Sequence, residues 1–272
     1  MRGDRHNSSI PRSLRFGLLN IRSLNNKIDD LLEVKRDKKI DVFLLTETWH
    51  DSESTSLGRL RASNFEVLDR PRPRTKHDVL TTNHGGVAAF SSPGIRLSMI
   101  SCGPDPSTFE HLSFRVSSAS TSCSVLLVYR TGPINNLFFA ELSTLLARLT
   151  TCSEPIIVAG DFNIHIERSS DPDSRALIDT LESYGLRCSI DTPTHRLGGT
   201  LDIVATRSDL PPPLVLITDP DLSDHFLLSW VTSLPRPPPV YRTTVTRPWK
   251  LLNNDDFRDA LQSSAICDED CV

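Results

Sequence analysis

Apolar residues along this chain fall into short runs separated by polar and proline-rich stretches, and the runs follow two periods. "LRFGLLNI" (14–21) and "IDVFLLTE" (40–47) are continuous and of strand length. Between them, "LNNKIDDLLEVKRDKK" (24–39) sets Leu24, Ile28, Leu31, Leu32 and Lys35 on one helical face, and Ser23 is placed to cap it. Residues 14–47 therefore predict strand, helix, strand. Shorter β segments follow at 65–69, 85–92, 95–101, 109–116 and 123–130, and the turn residues between them predict antiparallel pairing. "NNLFFAELSTLLARLT" (135–150) predicts a helix with Leu137, Phe138, Leu142, Leu145, Leu146 and Leu149 inward. A strand, "EPIIVAGD", comes next. A helix over 173–185 then ends at Gly185, the residue type suited to the left-handed position past a helix end. Apolar runs at 200–206, 214–218 and 225–231 complete the set.

Strands interspersed with helices predict one α/β domain over residues 13–234, a sandwich of packed sheets covered by helices. Residues 1–12 are polar, contain a proline and read as a disordered lead. "LPRPPPVY" (234–241) reads as an extended proline linker, and residues 235–272 read as a Pro-rich connector with an acidic tail.

Composition changes this picture little. Hydrophobic residues make up 38% and charged residues 24%, which suits a soluble core. The net charge of −4 excludes a simple polycation, but it is unevenly spread. The first thirty residues carry six Lys or Arg against three Asp, and the last eighteen carry six acids against one Arg. An acidic tail can hide a basic working face from a net-charge argument. The six cysteines, at 102, 123, 152, 188, 267 and 271, show no CxxC pair and no zinc-finger spacing. They read as free thiols in a reducing compartment. No stretch approaches the roughly 20 apolar residues of a membrane span, and the N-terminus lacks the apolar segment of a signal peptide. The expectation is an intracellular protein with no membrane partner.

The chemistry gathers at the strand ends. "VAGDFNIH" (158–165) finishes an apolar run in Asp161, Asn163 and His165. Elsewhere Asn20 ends the first run, Glu47 the second (followed by Trp49), and Tyr129 with Arg130 the run at 123–130. Asp202 sits among apolar residues, and Asp224 and His225 open the last run. Any one of these is a turn former or a satisfied core polar group. Six strands that each carry an acid, amide, phenol or imidazole point to one catalytic rim. Oxygen ligands without thiolates favour a hard cation, Mg²⁺ or Mn²⁺. Asp161 and Asn163 would hold a water nucleophile and a phosphate oxygen, and His225, oriented by Asp202, would donate to the phosphate. That chemistry is metal-assisted phosphoester hydrolysis. No serine lies in a GxSxG context and no GxxxxGK[ST] occurs, which argues against a nucleophilic triad and a P-loop.

At these residues the sequence resembles the endonuclease/exonuclease/phosphatase superfamily, and within it the apurinic-endonuclease-like domain of non-LTR (LINE-type) retrotransposons. The resemblance runs over residues 14–231 through "LLNIRSL", "LLTETW", "GGVAAF", "VYR", "GDFNIH", "GGTLDIV" and "SDHF", in that order. It implies a four-layer α/β sandwich, two packed mixed β-sheets flanked by helices. It also implies Glu47 as the main metal carboxylate, with Asn20 and Asp224 nearby. Asp161 would orient or activate the attacking water, and Asn163 would polarise the phosphate. Tyr129 would contact the scissile phosphate, with Arg130 beside it in substrate binding. His225, held by Asp202, would stabilise the pentacovalent transition state. Two positions depart from the pattern. Repair-type members carry an acid two residues after the first Asn, where this chain has Arg22. Many carry an Asn three residues after the Tyr, where it has Gly132; Asn135 or Asn136 stands nearby.

The leading expectation is a monomeric DNA-nicking endonuclease of target-primed retrotransposition, nuclear by function, whose tail leads toward an absent reverse transcriptase. Two alternatives stand beside it: a phosphatase of the same fold acting on inositol or other small phosphoesters, and a catalytically idle remnant that only binds DNA or a partner. "RPRPRTK" (70–76) supplies Arg70, Arg72, Arg74 and Lys76, either as a solvated loop or as contacts to DNA phosphates. Trp49 and Trp230 fit the core and a nucleotide contact equally well.

Overall fold

The computed structural model describes residues 12–73, 84–119, 121–152, 154–234 and 252–264. In chain order the elements are β1 (Arg12–Asn20), α1 (Ile28–Asp37), β2 (Val42–Thr46), α2 (Thr55–Ala62), β3 (Glu66–Arg70), β4 (Val87–Ser91), β5 (Arg96–Met99), β6 (Phe109–Ser118) and β7 (Thr121–Arg130). They continue with α3 (Asn136–Thr150), β8 (Ile156–Asp161), α4 (Pro172–Ser183), β9 (Leu186–Cys188), β10 (Asp202–Arg207), β11 (Leu216–Thr218), β12 (Leu227–Leu234) and α5 (Asn254–Gln262). The chain divides into two compact units, residues 1–237 and 238–272. In the second, α5 is capped by the Asn253 side chain and presents only exposed residues. Among the described residues no helix is long and apolar enough to cross a membrane.

The strands of the first unit form two six-stranded sheets, ordered β11-β12-β1-β2-β4-β3 and β5-β6-β7-β8-β10-β9. Each sheet is mixed. β1 and β2 run parallel across the α1 crossover, as do β7 and β8 across α3, and the remaining pairs are antiparallel. Side chains alternate faces along a strand, so each strand contributes one row to the space between the sheets and one to an outer helix layer. Phe16 and Leu18 of β1, Val42 and Leu44 of β2, and Val125 and Leu127 of β7 all join the inter-sheet core. Leu19, Phe43 and Leu45 turn outward under α1 and α2, while Leu126, Val128 and Val158 pack under α3 and α4. The result is the four-layer α/β sandwich. Trp230 belongs to its inner layer, 1% exposed and stacked on Phe16 at 5.5 Å between ring centroids.

Several elements differ from the sequence expectation. α1 starts at Ile28 rather than Leu24, and Ser23 accepts the Asn25 N–H in the preceding turn instead of capping the helix. Arg22, Ser23 and Asn26 all adopt positive φ, which breaks a helix before it starts, and Leu24 is buried from the turn instead. Leu137 is 52% exposed, because Phe138, Leu142, Leu145 and Leu149 define the buried face of α3. α2, β9 and the length of β6 went unmarked by periodicity. Gly185 stands past the end of α4 at φ +69, as its residue type predicts. The four described cysteines are free, while Cys267 and Cys271 lie outside the described residues.

Candidate active site

The inward rows explain where the polar residues go. β1 reads Phe16, Leu18, Asn20; β7 reads Val125, Leu127, Tyr129; β8 reads Ile157, Ala159, Asp161; β10 reads Val204, Asp202 toward the same end. Each apolar row finishes in a polar side chain at one rim of the sandwich. Register then sets them side by side, Tyr129 opposite Asp161 and Asp161 opposite Asp202. The approach of β7 to β8 is close: Gly160 sits at φ +146, and a Cβ there would run into the Val128 carbonyl oxygen. Gly160 is thus inside the strand, not the turn punctuation that its residue type suggests.

From the other sheet, Asn20 joins the two halves. Its Nδ2 donates to Glu47 Oε1 and to Asp161 Oδ2, both at 2.8 Å. Glu47 and Trp49 follow β2 at φ +50 and +51, and Asn163 follows β8 at φ +49. Positive φ at three non-glycine residues is local strain held by the surrounding packing. Part of that packing is a buried relay behind the Glu47 turn. The Thr48 hydroxyl lies 2.5 Å from His50 Nδ1, and His50 Nε2 lies 3.1 Å from Asp69 Oδ2, while Arg61 donates to Asp69 Oδ1. The Trp49 indole N–H donates to Glu47 Oε2 at 3.2 Å.

His225 Nδ1 lies 2.9 Å from Asp202 Oδ2. Asp202 accepts from Nδ1–H, which leaves Nε2 directed at Asp161 Oδ2, 3.9 Å away. Burial works against a charged imidazole, but Asp202, Asp161 and Asp224 outweigh it and raise the His225 pKa to about 9. Burial also pushes the Asp161 carboxyl up, and Asp202 beside it adds to the rise while His225 opposes it. The Tyr129 phenol is pushed far up, by burial first and then by Glu47, so it stays protonated; it donates to the His84 carbonyl at 3.2 Å.

Asp224 Oδ2 receives Arg22 Nη1 at 2.5 Å and lies 3.2 Å from His195 Nε2. His195 Nδ1 accepts the Leu197 N–H, so its proton is on Nε2, facing Asp224. Sequence reasoning missed His195. It lies in the "THRLGG" loop with no telling spacing, and a bridge to His225 brings it to the rim. It missed Ser223 also, whose hydroxyl donates to the Asn20 carbonyl at 2.6 Å and ties β12 to β1.

Not every expected residue faces the rim. The Arg130 guanidinium is buried and committed to three carbonyls, Phe162 (2.5 Å), Gly132 (2.7 Å) and Asn163 (2.7 Å). The structure makes it a brace for the loop after β8 rather than a substrate contact. Asn163 Nδ2 returns a hydrogen bond to the Arg130 carbonyl at 2.7 Å. Arg70 pairs with Asp105, and Arg72 pairs with Glu110 while lying 5.7 Å over the Tyr129 ring. Arg74 and Lys76 lie outside the described residues.

Residues 17–225 match the family model described as the endonuclease/exonuclease/phosphatase family. The chain belongs to this family. Among solved structures, the endonuclease/exonuclease/phosphatase sandwich here is similar to the endonuclease domain of TRAS1, a telomere-specific non-LTR retrotransposon, at 14% identity and TM-score 0.60, covering 82% of this chain and 99% of that one. It is similar to the AP endonuclease LMAP from Leishmania major, at 16% identity and TM-score 0.60, over 82% of this chain and 89% of that one. It is also similar to the 3′ phosphatase NExo from Neisseria bound to a product DNA hairpin, at 16% identity and TM-score 0.60, over 80% and 98% of the two chains. A comparison with curated proteins finds no match. At these identities the likeness establishes the shared fold. Endonuclease/exonuclease/phosphatase members are hydrolytic nucleases or phosphatases that depend on divalent metal, and the residues of this chain fit such an ion. Asp224 groups with His195 and His225, and Asp161 with Asp202 and His225, each with ligand atoms within 4.8 Å of one another. Asp224 Oδ1 is buried with no hydrogen-bond partner, and Glu47 and Asn20 carry further oxygens at the same rim.

Proposed function

We propose that this protein is a divalent-metal-dependent endonuclease that nicks DNA, a reading carried above all by the Asp202–His225 pair aimed across Asp161. Glu47, Asn20 and Asp224 would hold Mg²⁺ or Mn²⁺, which supplies charge stabilisation at the phosphate and the leaving oxygen. The protein's own groups do the rest. Asp161, with its raised carboxyl pKa, accepts a proton from the attacking water. Asn163 positions that water and the phosphate. The Tyr129 O–H and the His225 Nε2–H donate toward phosphate oxygens, and Asp202 holds the ring in one orientation and favours its charged form. Arg70, Arg72, Arg74 and Lys76 would approach DNA phosphates. Arg70 and Arg72 already hold acidic partners, so their share of the salt dependence is small.

Support for DNA as substrate comes from the relatives of similar fold, two of them endonucleases and one bound to a DNA hairpin. The retrotransposon role, the nuclear location, the monomeric state and the reading of residues 235–272 as a connector belong to the same proposal. The test is relaxation of supercoiled plasmid by the purified chain. Nicked circles are expected with Mg²⁺ or Mn²⁺ and none with EDTA. Plasmid that stays supercoiled while inositol phosphates release phosphate would overturn the assignment in favour of the phosphatase branch. DNA binding without cleavage under either metal would leave an idle binding module.

A further inference from the structure

The rim carries one cation at an unexpected place. Arg22 Nη1 lies 2.5 Å from Asp224 Oδ2, and Arg22 Nε lies 4.0 Å from Glu47 Oε2. The guanidinium therefore stands between the two carboxylates to which the proposed function gives the divalent ion. The backbone holds it there. Arg22 sits at φ +45, and its N–H donates to Asn20 Oδ1 at 3.2 Å, so the turn leaving β1 folds back over the same site. The contact is not permanent by packing, since the Arg22 side chain is 50% exposed. The Asp224 carboxylate is engaged on one oxygen only, while Oδ1 is buried and unpartnered.

We infer that Arg22 is the resident counter-cation of the Glu47–Asp224 pair, and that a divalent ion enters this corner by displacing it. The inference rests on the metal-dependent reading above. Two carboxylates with half their charge already offset attract a second cation less than two free ones do, and a guanidinium beside a doubly charged ion repels it. Occupation of Asp224 Oδ2 adds to this, because Arg22 leaves a hard cation only Oδ1 of that carboxylate and blocks bidentate binding. Arg22 thus keeps divalent affinity low and leaves the rim paired when no ion is present.

The experiment is calorimetric titration of the full chain with Mn²⁺ alone, without DNA. Arg22→Asn removes the charge and suits the left-handed backbone, since Asn adopts that region more readily than most residues. Arg22→Asp adds a carboxylate on the same backbone. The expected order of Mn²⁺ affinity is wild type weakest, Arg22→Asn about tenfold tighter, and Arg22→Asp tighter again, with Glu47→Gln weakening the Arg22→Asn variant. A thermal shift on adding Mn²⁺ should follow the same order, and circular dichroism checks that each variant is folded. Equal affinity in wild type and Arg22→Asn overturns the inference and leaves the metal site standing. Weaker binding in Arg22→Asn overturns it too, and makes Arg22 a support for the ion's ligands. If no folded variant binds Mn²⁺ at all, the metal reading falls and takes the inference with it.

Discussion

Asp202 and His225 are each ordinary in type, and their meaning comes from burial. An aspartate on an apolar strand, 1% exposed, needs a partner, and the imidazole bonded to it is that of His225, itself 5% exposed. His225→Ala and Asp202→Asn should each slow nicking about 100-fold or more while the protein stays folded. The double variant should be scarcely slower than His225→Ala, since residues acting as a unit are not additive. Fully multiplicative losses in single-turnover assays would show two independent contributions. This pairing was legible before any coordinates, because a lone buried acid and a histidine heading the next strand but one leave few other arrangements. His195 was not legible. Its position depends on a loop closing over the rim, and nothing in local spacing encodes that closure. Arg130 misled for a related reason. A cation next to Tyr129 looks like a phosphate contact until the loop after β8 is seen wrapping its carbonyls around it.

Among the elements, the most informative is the one whose apolar pattern includes a lysine. Lys35 falls on the buried face of α1, and its Nζ donates to the Ile40 carbonyl at 2.6 Å and to Ser92 Oγ at 2.5 Å. Periodicity placed it there, and the hydrogen bonds show why it is tolerated. Strands read well from sequence because buried ones are nearly all apolar, as β2, β4 and β8 are. α2 did not, because Gly58 and two arginines blur its period, and it is held instead by the Ser54 cap and by Leu57 and Leu60 packing under the first sheet. On α3, Glu141 acts as an anchor. It accepts four hydrogen bonds, from the backbone N–H and hydroxyl of both Ser107 and Thr108. Desolvation raises its carboxyl pKa, but these four bonds outweigh that and hold it below the usual value. A depressed folded pKa gives stability that is complete above the unfolded value and lost as pH falls through the folded one. Glu141→Gln should therefore cost stability at neutral pH, by about 0.5–1 kcal/mol once solvent screening of this mostly exposed carboxylate is allowed for. In urea titrations the gap to wild type should narrow toward pH 3. A gap that does not change with pH would mean that the carboxylate charge is not what holds the loop.

At the scale of the whole molecule, the two sheets have a single shared interior, and Trp230 lies in it with Phe16. Trp230→Ala should lower stability by about 3–5 kcal/mol. Both sheets should melt in one transition, seen together by tryptophan fluorescence and far-ultraviolet circular dichroism, because neither has another inner face to keep. Separate transitions would show that the layers hold themselves. The same closure has a consequence for the protein while it is being made. β1 lies between β2 and β12, and the last strand of the sandwich pairs with the first. Asp224 and His225 leave the ribosome about 200 residues after Asn20, which at bacterial to eukaryotic elongation rates is a wait of roughly 10–40 s. Until then one edge of β1 has no neighbour, a hazard for pairing with other chains, and the rim lacks its imidazole. A nascent or prematurely terminated polypeptide therefore lacks the Asp202–His225 pair, and only a chain extended past β12 brings all the rim groups together.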